Sequence, residues 1–214
     1  MNNFSFDSIS NFDNHISSSI NGYKLLDELI INLSSFWTKK GTTILDIGCK
    51  SGRLIDTLKR LNPDCECIGY DITNHNFIQD TSAILKVLDV SSSDAYLPYS
   101  NFVLSIFTLQ FIEIEKRASV LRRIYDSLSI SGAFIIAEKE ISSSGVIQEA
   151  FTFANYDYKR ANFTPDEILS KEKDLRKIMN CLQDGENVKL LQSVGFKPYQ
   201  FYQGLNFKAW ICLK

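Results

Sequence analysis

Glycines and carboxylates occur together where predicted strands end, and this arrangement could bind a nucleoside. Residues 46–52 read Asp-Ile-Gly-Cys-Lys-Ser-Gly and join a short β-branched run to a segment with helical spacing. A residue as small as Gly48 lets the backbone approach a ligand, and a helix that begins near Gly52 points its amides at the same place. Asp71 ends the next apolar run, about 20 residues beyond Gly52, the spacing expected of an acid that binds ribose hydroxyls. Asp89 ends the third run, where a side chain can reach the base.

Lys50 narrows the choice of nucleoside. It replaces the central glycine of the usual Gly-x-Gly-x-Gly pattern, and a side chain there would crowd a pyrophosphate. S-adenosylmethionine (SAM) carries an amino-acid tail instead, and Lys50 could pair with the carboxylate of that tail. A turn that binds nothing would also use these glycines, but Asp46, Asp71 and Asp89 at successive strand ends favour SAM. The sequence has no Gly-x-x-x-x-Gly-Lys-Ser/Thr phosphate loop, so nucleotide hydrolysis has no support.

Aromatic side chains supply a second kind of candidate. Phe107 ends the fourth apolar run, and Tyr156 and Tyr158 lie in the helical tail, where their rings could hold a sulfonium by cation–π attraction. We interpret these three residues and Arg160 as candidate catalytic groups. The competing interpretations are core or lid packing for the aromatics and a solvated helix position for Arg160. Tyr23 is a further candidate for contact with the ligand.

The elements that must position these residues alternate between strands and helices. Apolar runs predict strands at 42–47, 65–71, 84–89, 102–107 and 133–137, with helical spacing at 53–61 and 112–128. This alternation is typical of parallel βαβ units in one sheet.

The last third of the chain has a different pattern. Residues 148–181 have helical spacing without a strand, interrupted where Thr164 can cap and Pro165 can begin a helix. A helix at 186–194 and a hairpin follow, its strands at 197–202 and 206–213 joined by Gln203-Gly204.

The fold prediction is therefore α/β: a Rossmann-like class I SAM-dependent methyltransferase fold. It would have a seven-stranded mixed sheet with a C-terminal antiparallel hairpin and a helical insertion. A single SAM-binding domain would span 1–214, with an N-terminal helical cover at 1–40 and the insertion, a candidate lid, at 146–181.

Composition and charge argue against several classes of protein. The 214 residues are 44% hydrophobic, enough for a packed core, and the net charge of −2 lacks the basic excess usual in nucleic-acid binding. No apolar run approaches the ~20 residues of a membrane span, and the polar N-terminus is unlike a signal peptide. Five cysteines without a Cys-x-x-Cys pair and two histidines favour a reducing cytoplasm and no metal site. We expect small-molecule ligands, with neither nucleic acid nor membrane as a partner.

Several motifs resemble the carboxy-S-adenosyl-L-methionine (carboxy-SAM) synthases over nearly the whole chain, from about Phe6 onward. The most specific are Asn21-Gly22-Tyr23, Asp46-Ile47-Gly48-Cys49, Phe107-Thr108-Leu109-Gln110-Phe111, Glu138-Lys139, Asp157-Tyr158-Lys159-Arg160-Ala161-Asn162 and Asn206-Phe207. This resemblance implies the strand order 3-2-1-4-5-7-6, a homodimer, and carboxylation of SAM with prephenate to supply wobble-uridine modification in tRNA. It also implies SAM contacts at Tyr23, Gly48, Cys49, Lys50, Asp71, Ile72, Asp89 and Val90.

Two positions depart from the pattern of that family near the expected reacting end. Ile106 stands where the family has an asparagine, and we include it among the candidate SAM contacts. Glu172 aligns, to within one residue, with an arginine that grips the added carboxylate. A carboxylate in a closed pocket needs a charge-assisted partner, so we expect Glu172 to repel it unless Lys171, Lys173 or Arg160 compensates.

The predicted function is that of a SAM-utilising enzyme that acts on SAM itself or on a small molecule. A macromolecular substrate is disfavoured, because the fourth strand does not end in Asn/Asp-Pro-Pro-Tyr/Phe and no RNA-binding module is appended. Three alternatives stay open: a small-molecule methyltransferase, an intramolecular cyclase that gives azetidine-2-carboxylate and methylthioadenosine, and a non-catalytic SAM-binding partner subunit.

Overall fold

A mixed β-sheet forms the centre of the computed structural model, which describes residues 12–214. Its strands are β1 Thr43–Ile47, β2 Glu66–Asp71, β3 Ile84–Val87, β4 Ser100–Ile106, β5 Leu128–Ile141, β6 Leu182–Gln183, β7 Lys197–Gly204 and β8 Phe207–Leu213. The strand order is β3-β2-β1-β4-β5-β8-β7, with the first five strands parallel and the last two antiparallel. Short β6 pairs with β5 outside this path. Without β6 the order is 3-2-1-4-5-7-6, as predicted.

Helices cover both faces of the sheet. They are α1 Phe12–Ser19, α2 Tyr23–Ser34, α3 Arg53–Leu61, α4 Ile114–Ser127, α5 Gly145–Lys159, α6 Pro165–Ile178 and α7 Glu186–Val194, with a short 3-10 helix at Leu109–Phe111. Leu26 of α2 and Ile55 of α3 belong to one buried cluster, whereas Leu121 of α4 and Leu191 of α7 belong to the cluster on the other face. The βαβ alternation therefore produces two apolar layers around one sheet.

The helical insertion consists of α5 and α6, between β5 and β6. α6 begins as the sequence predicts: the Thr164 side chain accepts from the amide of Glu167, the Glu167 carboxylate accepts from the amide of Thr164, and Pro165 occupies the first turn. This reciprocal cap satisfies amides that the helix leaves without partners. In the predicted N-terminal cover, α1 and α2 are helical, and residues 1–11 lie outside the described residues.

Two local predictions were wrong. β5 begins at Leu128, not at residue 133. Gly132 lies inside the strand, in an irregular stretch where the register against β4 shifts. A Cβ on Gly132 would lie 2.7 Å from the carbonyl oxygen of Asn101, so the glycine serves close packing there.

The hairpin turn was also misplaced. Gly204 pairs with Phe207 as part of β7, and Leu205 adopts the left-handed φ of 56° in the turn. A Cβ on Gly204 would lie 2.4 Å from the hydroxyl of Tyr202, so its small size is required by packing. In the described part of the chain, no helix is long and apolar enough to cross a membrane.

Candidate functional site

The turn between β1 and α3 closes tightly against its neighbours. Gly48 has a φ of 75°, and a Cβ there would lie 2.1 Å from Thr108 Oγ1. The amides of Gly48 and Cys49 both donate to the carbonyl oxygen of Tyr70, at 2.7 and 2.9 Å. Lys50 follows with a φ of 48°. The loop is therefore fixed against the end of β2.

Acidic side chains are held at the ends of β2 and β3. Asp71 Oδ2 accepts from the amide of Lys50 at 2.9 Å, and its Oδ1 accepts from the amide of Thr73 at 3.3 Å. Asp89 Oδ1 accepts from both the amide and the hydroxyl of Ser91, at 2.9 and 2.7 Å. Both carboxylates are oriented by backbone amides, and a carboxylate can accept several hydrogen bonds, including those from the hydroxyl or amino groups of a ligand.

Asp46 lies inside β1, beneath the turn. Burial raises the pKa of its carboxyl to about 7, and the neighbouring charges of Asp71 and Asp27 add to the shift. Burial disfavours the charged form of an acid, and a nearby cation restores it. A cationic ligand group above this turn would therefore favour the carboxylate of Asp46.

A cavity of about 550 Å³ connects these groups. That volume lies within the ~300–1,000 Å³ typical of small-molecule sites. The predicted residues that line it are Tyr23, Asp46, Gly48, Cys49, Lys50, Asp71, Ile72, Asp89, Val90, Ile106 and Phe107. The structure thus brings together all ten predicted SAM contacts and one of the four candidate catalytic residues.

Aromatic rings enclose the middle of the cavity. Phe107 adopts a φ of 54° at the end of β4, and its amide donates to the carbonyl oxygen of Ala137 at 2.7 Å. Its ring centroid lies 6.3 Å from that of Tyr23 and 5.6 Å from that of Phe207. Such faces can attract a sulfonium cation.

The far end of the cavity carries lysines around one glutamate. Lys159 Nζ of α5 donates to Glu172 Oε1 of α6 at 2.7 Å, and both side chains are about nine-tenths buried. Burial alone would raise the pKa of Glu172, but Lys139 and Lys159 hold it below its usual range. Burial lowers the pKa of Lys139, and it lowers that of Lys171 to about 8. Glu172 is therefore a paired carboxylate within a cationic group, and its charge does not stand alone against an incoming anion.

α1 lies over the cavity and is tied down along its length. Asp13 accepts hydrogen bonds from Ser51 Oγ and, at 3.1 Å, from Arg53 Nε; Arg53 also forms an ion pair with Asp27 of α2. His15 of α1 contacts Lys171 of α6. These contacts join the N-terminal cover to both the glycine turn and the insertion.

The other candidate catalytic residues lie away from this cavity. The hydroxyl of Tyr158 donates to the carbonyl oxygen of Ser17 at 2.6 Å, which joins α5 to α1. Arg160 is exposed at the end of α5 and lies 3.6 Å from Asp157. Tyr156 lines a smaller neighbouring pocket. Lys173, the other compensating lysine considered, is exposed.

Sequence reasoning missed several residues of the site. It assigned no role to Asp13 or Arg53, and it quoted Lys139 and Lys159 only as parts of motifs. Each becomes a site residue through contacts between distant segments. The lysines carried one usable signal, since their motifs distinguish this chain from a generic methyltransferase sequence.

Comparison with solved structures identifies the class of fold. The chain matches a TehB-like SAM-dependent methyltransferase from Corynebacterium glutamicum with a TM-score of 0.60 and 17% identity, over 94% of this chain and 97% of that one. It matches the PH0226 protein of Pyrococcus horikoshii with a TM-score of 0.62 and 16% identity, over 92% and 93% of the two chains. The predicted class I SAM-dependent methyltransferase fold is confirmed.

Comparison with curated sequences is more specific. No model of a protein family matches the chain. It is 27% identical over 210 residues to the carboxy-S-adenosyl-L-methionine synthase of Staphylococcus epidermidis, covering 95% of this chain and 92% of that protein. It is 28% identical over 222 residues to that of Campylobacter jejuni subsp. jejuni, covering 99% and 94%. The predicted resemblance to the carboxy-SAM synthases is confirmed. Among the described residues, no group of three or more His, Cys, Asp or Glu could hold a metal ion.

Proposed function

We propose that this protein is an enzyme that binds SAM and acts on it together with a small carboxylic acid. The adenosine would lie over the ends of β2 and β3, with Asp71 on the ribose hydroxyls and Asp89 near the adenine. The amino-acid tail would lie along the glycine turn, where Asp46 and Lys50 carry charges opposite to those of its ammonium and carboxylate. The sulfonium would then lie among Phe107 and its aromatic neighbours.

The observation that carries the proposal is the charge at the far end of the cavity. Lys139, Lys159 and Lys171 line it together with Glu172 as the acidic side chain among them. Three lysines against one glutamate leave an excess of positive charge, and a sulfonium beside that excess is unfavourable unless a further anion lies between them, because buried charges need partners. A carboxylate at this position would lie beside the sulfonium and accept charge-assisted hydrogen bonds from the lysines.

The reaction best supported is the carboxylation of SAM, as the names of the relatives suggest. The bond between the donor acid and its carboxyl carbon would break, which releases CO2. The remainder of the donor would take up one proton from the methyl group of SAM. The methyl carbon would bond to the CO2 released, so that a carboxylate replaces one hydrogen. Lys139 and Lys171 would stabilise that carboxylate in the place where the family uses an arginine.

Mass spectrometry of purified protein incubated with SAM tests this function. With a donor acid present, first prephenate and then malonate and oxaloacetate, we expect SAM to gain the mass of one CO2. Lys139→Met should lower the yield at least tenfold, and Lys173→Met, at an exposed position, should not. S-adenosylhomocysteine as the product would show methyl transfer instead. Methylthioadenosine formed without any acid would show intramolecular cyclisation, and unaltered SAM in every arm would favour a non-catalytic subunit.

We also propose, from the family resemblance, a homodimer in the cytoplasm. The five cysteines are unpaired, and four of them are buried, which supports a reducing compartment. Light scattering coupled to size-exclusion chromatography tests the oligomeric state, and a monomer mass would overturn the dimer.

A further inference from the structure

Gln110 lines the SAM cavity from the short 3-10 helix that follows β4, and one end of its side chain is fixed. Its Oε1 accepts from the backbone amide of Lys139 at 3.0 Å. The Lys139 side chain lines the lysine end of the cavity, and its Nζ lies 5.8 Å from the ring centroid of Phe207, one of the aromatic rings. Gln110 is therefore bonded to the residue that connects the aromatic rings with the lysine end.

The backbone of Gln110 is held as firmly as its side chain. Its amide donates to Glu138 Oε2 at 2.8 Å, and its carbonyl oxygen accepts from the amide of Asn180 at 2.7 Å. The whole residue is only 5% exposed. A side chain that is locked by packing and hydrogen bonds can make a precise ligand contact. Three hydrogen bonds within the protein therefore set the position of the remaining polar group of Gln110.

That remaining group is the side-chain NH2. Because a backbone amide can only donate, the atom bonded to Lys139 must be the oxygen, and Nε2 takes the other position of the side-chain amide. Nε2 has no hydrogen-bond partner among the described residues, and it is not one of the unpartnered polar atoms that are sealed from solvent. Gln110 lines the SAM cavity and does not line the smaller neighbouring pocket, so this donor opens onto the SAM cavity.

We infer that Gln110 Nε2 donates a hydrogen bond to the carboxylate beside the sulfonium, and that Gln110 thereby distinguishes carboxy-SAM from SAM. SAM carries only a methyl group at this point, which leaves the donor without a partner, and sites built to form a hydrogen bond discriminate against ligands that lack it. A lysine supplies a mobile point charge, whereas this uncharged donor has a fixed direction. The inference rests on the proposed function and adds a specificity-determining residue to it.

Calorimetry with SAM, carboxy-SAM and the amide analogue of carboxy-SAM, in which a CONH2 group replaces the carboxylate, tests this contact. In Gln110→Met the advantage of carboxy-SAM over SAM should fall about fivefold, the contribution of one hydrogen bond. Gln110→Glu retains an oxygen for the amide of Lys139 but replaces the donor with an acceptor, so it should bind carboxy-SAM no tighter than SAM. Its affinity for the amide analogue, relative to SAM, should exceed that of the wild type at least fivefold, because the NH2 of the analogue can donate to the introduced carboxylate.

Gln192→Glu, at an exposed position of α7, is the matched control and should leave all three affinities unchanged. A glutamine that only holds the amide of Lys139, or a charge that acts only from a distance, gives no gain for the amide analogue relative to SAM in Gln110→Glu. Absence of that gain would overturn the inference, and so would an undiminished advantage of carboxy-SAM in Gln110→Met. If the wild type itself shows no advantage for carboxy-SAM, the proposed function fails; if the wild type shows it and both variants retain it, only the inference about Gln110 fails.

Discussion

At the scale of single residues, Asp71 combines two tasks that a substitution can separate. Its carboxylate braces the glycine turn through the amide of Lys50, and in the proposed complex it also accepts from the ribose hydroxyls. An asparagine retains an acceptor oxygen for the turn but lacks the negative charge, whereas an alanine lacks both.

Asp71→Ala should therefore weaken SAM binding by about 1.5–3 kcal/mol, the contribution of hydrogen bonds to a charged group. Asp71→Asn should retain the melting temperature of the wild type better than Asp71→Ala does. Isothermal calorimetry measures the affinity, with Asp64→Ala, at an exposed acid, as the control. An unchanged SAM affinity in Asp71→Ala would remove the ribose assignment.

Asp46 should make the stability of the ligand-free protein depend on pH. Its pKa rises from the ordinary value of 3.8 to about 7 in the fold. Between these values the folded state binds more protons than the unfolded state, so the free energy of unfolding falls as pH rises through this window. Asp46→Asn lacks this titration.

Denaturant unfolding at pH 5 and pH 8 tests this prediction. The stability of Asp46→Asn relative to the wild type should increase between the two pH values. With SAM at a concentration that saturates the wild type, the loss of wild-type stability between pH 5 and pH 8 should be smaller, because the ammonium of SAM favours the carboxylate of Asp46. A stability difference that is the same at both pH values would show that Asp46 does not titrate there.

At the scale of elements, the β1–α3 turn depends on contact with the residue that follows β4. Gly48 and Gly41 share a left-handed backbone, with φ values of 75° and 81°. A Cβ on Gly48 would meet Thr108, whereas a Cβ on Gly41 would meet no atom within 4 Å. The two positions therefore share the backbone cost of a side chain and differ in steric overlap.

Gly48→Ala should destabilise the protein by about 1–3 kcal/mol more than Gly41→Ala does, because that is the usual cost of overpacking. It should also abolish tight SAM binding, because the turn must move. Thermal unfolding and SAM calorimetry on both variants provide the measurements. Equal destabilisation by the two substitutions would mean that the turn is not held against Thr108.

The hydrogen bond from Tyr158 to α1 predicts that this tyrosine holds the N-terminal cover in place. Tyr158→Phe removes a hydrogen bond with a net contribution of ~0.5–1.5 kcal/mol. Amide hydrogen exchange should increase in α1 and stay unchanged in β1 and β4. Tyr199→Phe, at an exposed tyrosine of β7, is the matched control. Faster exchange throughout the sheet would contradict a local role.

At the scale of the whole molecule, the strand order followed from the resemblance to the carboxy-SAM synthases, whereas the parallel strands and the cavity residues at their ends could be predicted from the residues themselves. Their signals are local: each parallel strand is a short apolar run, and Gly48, Asp71 and Asp89 stand at its end. The carboxyl ends of parallel strands meet at one edge, so local signals suffice to bring these residues together.

The lysine end could not be predicted in this way. Lys139 comes from β5, Lys159 from α5 and Glu172 from α6, and only the packing of the insertion against the sheet joins them. Glu172 alone indicates repulsion of a carboxylate, but its meaning changes once Lys159 is paired with it. The same packing leaves Tyr156 and Arg160 outside the SAM cavity, since adjacent positions on α5 face different directions.

The central claim, that this cavity holds SAM with a carboxylate beside its sulfonium, is tested most directly by comparing the affinities of SAM and carboxy-SAM. Calorimetry on the wild-type protein should give carboxy-SAM at least a tenfold advantage, since one charge-assisted hydrogen bond contributes ~1.5–3 kcal/mol. Lys139→Met should reduce that advantage, and Lys173→Met should retain it. Equal or tighter binding of SAM by the wild type would contradict the account.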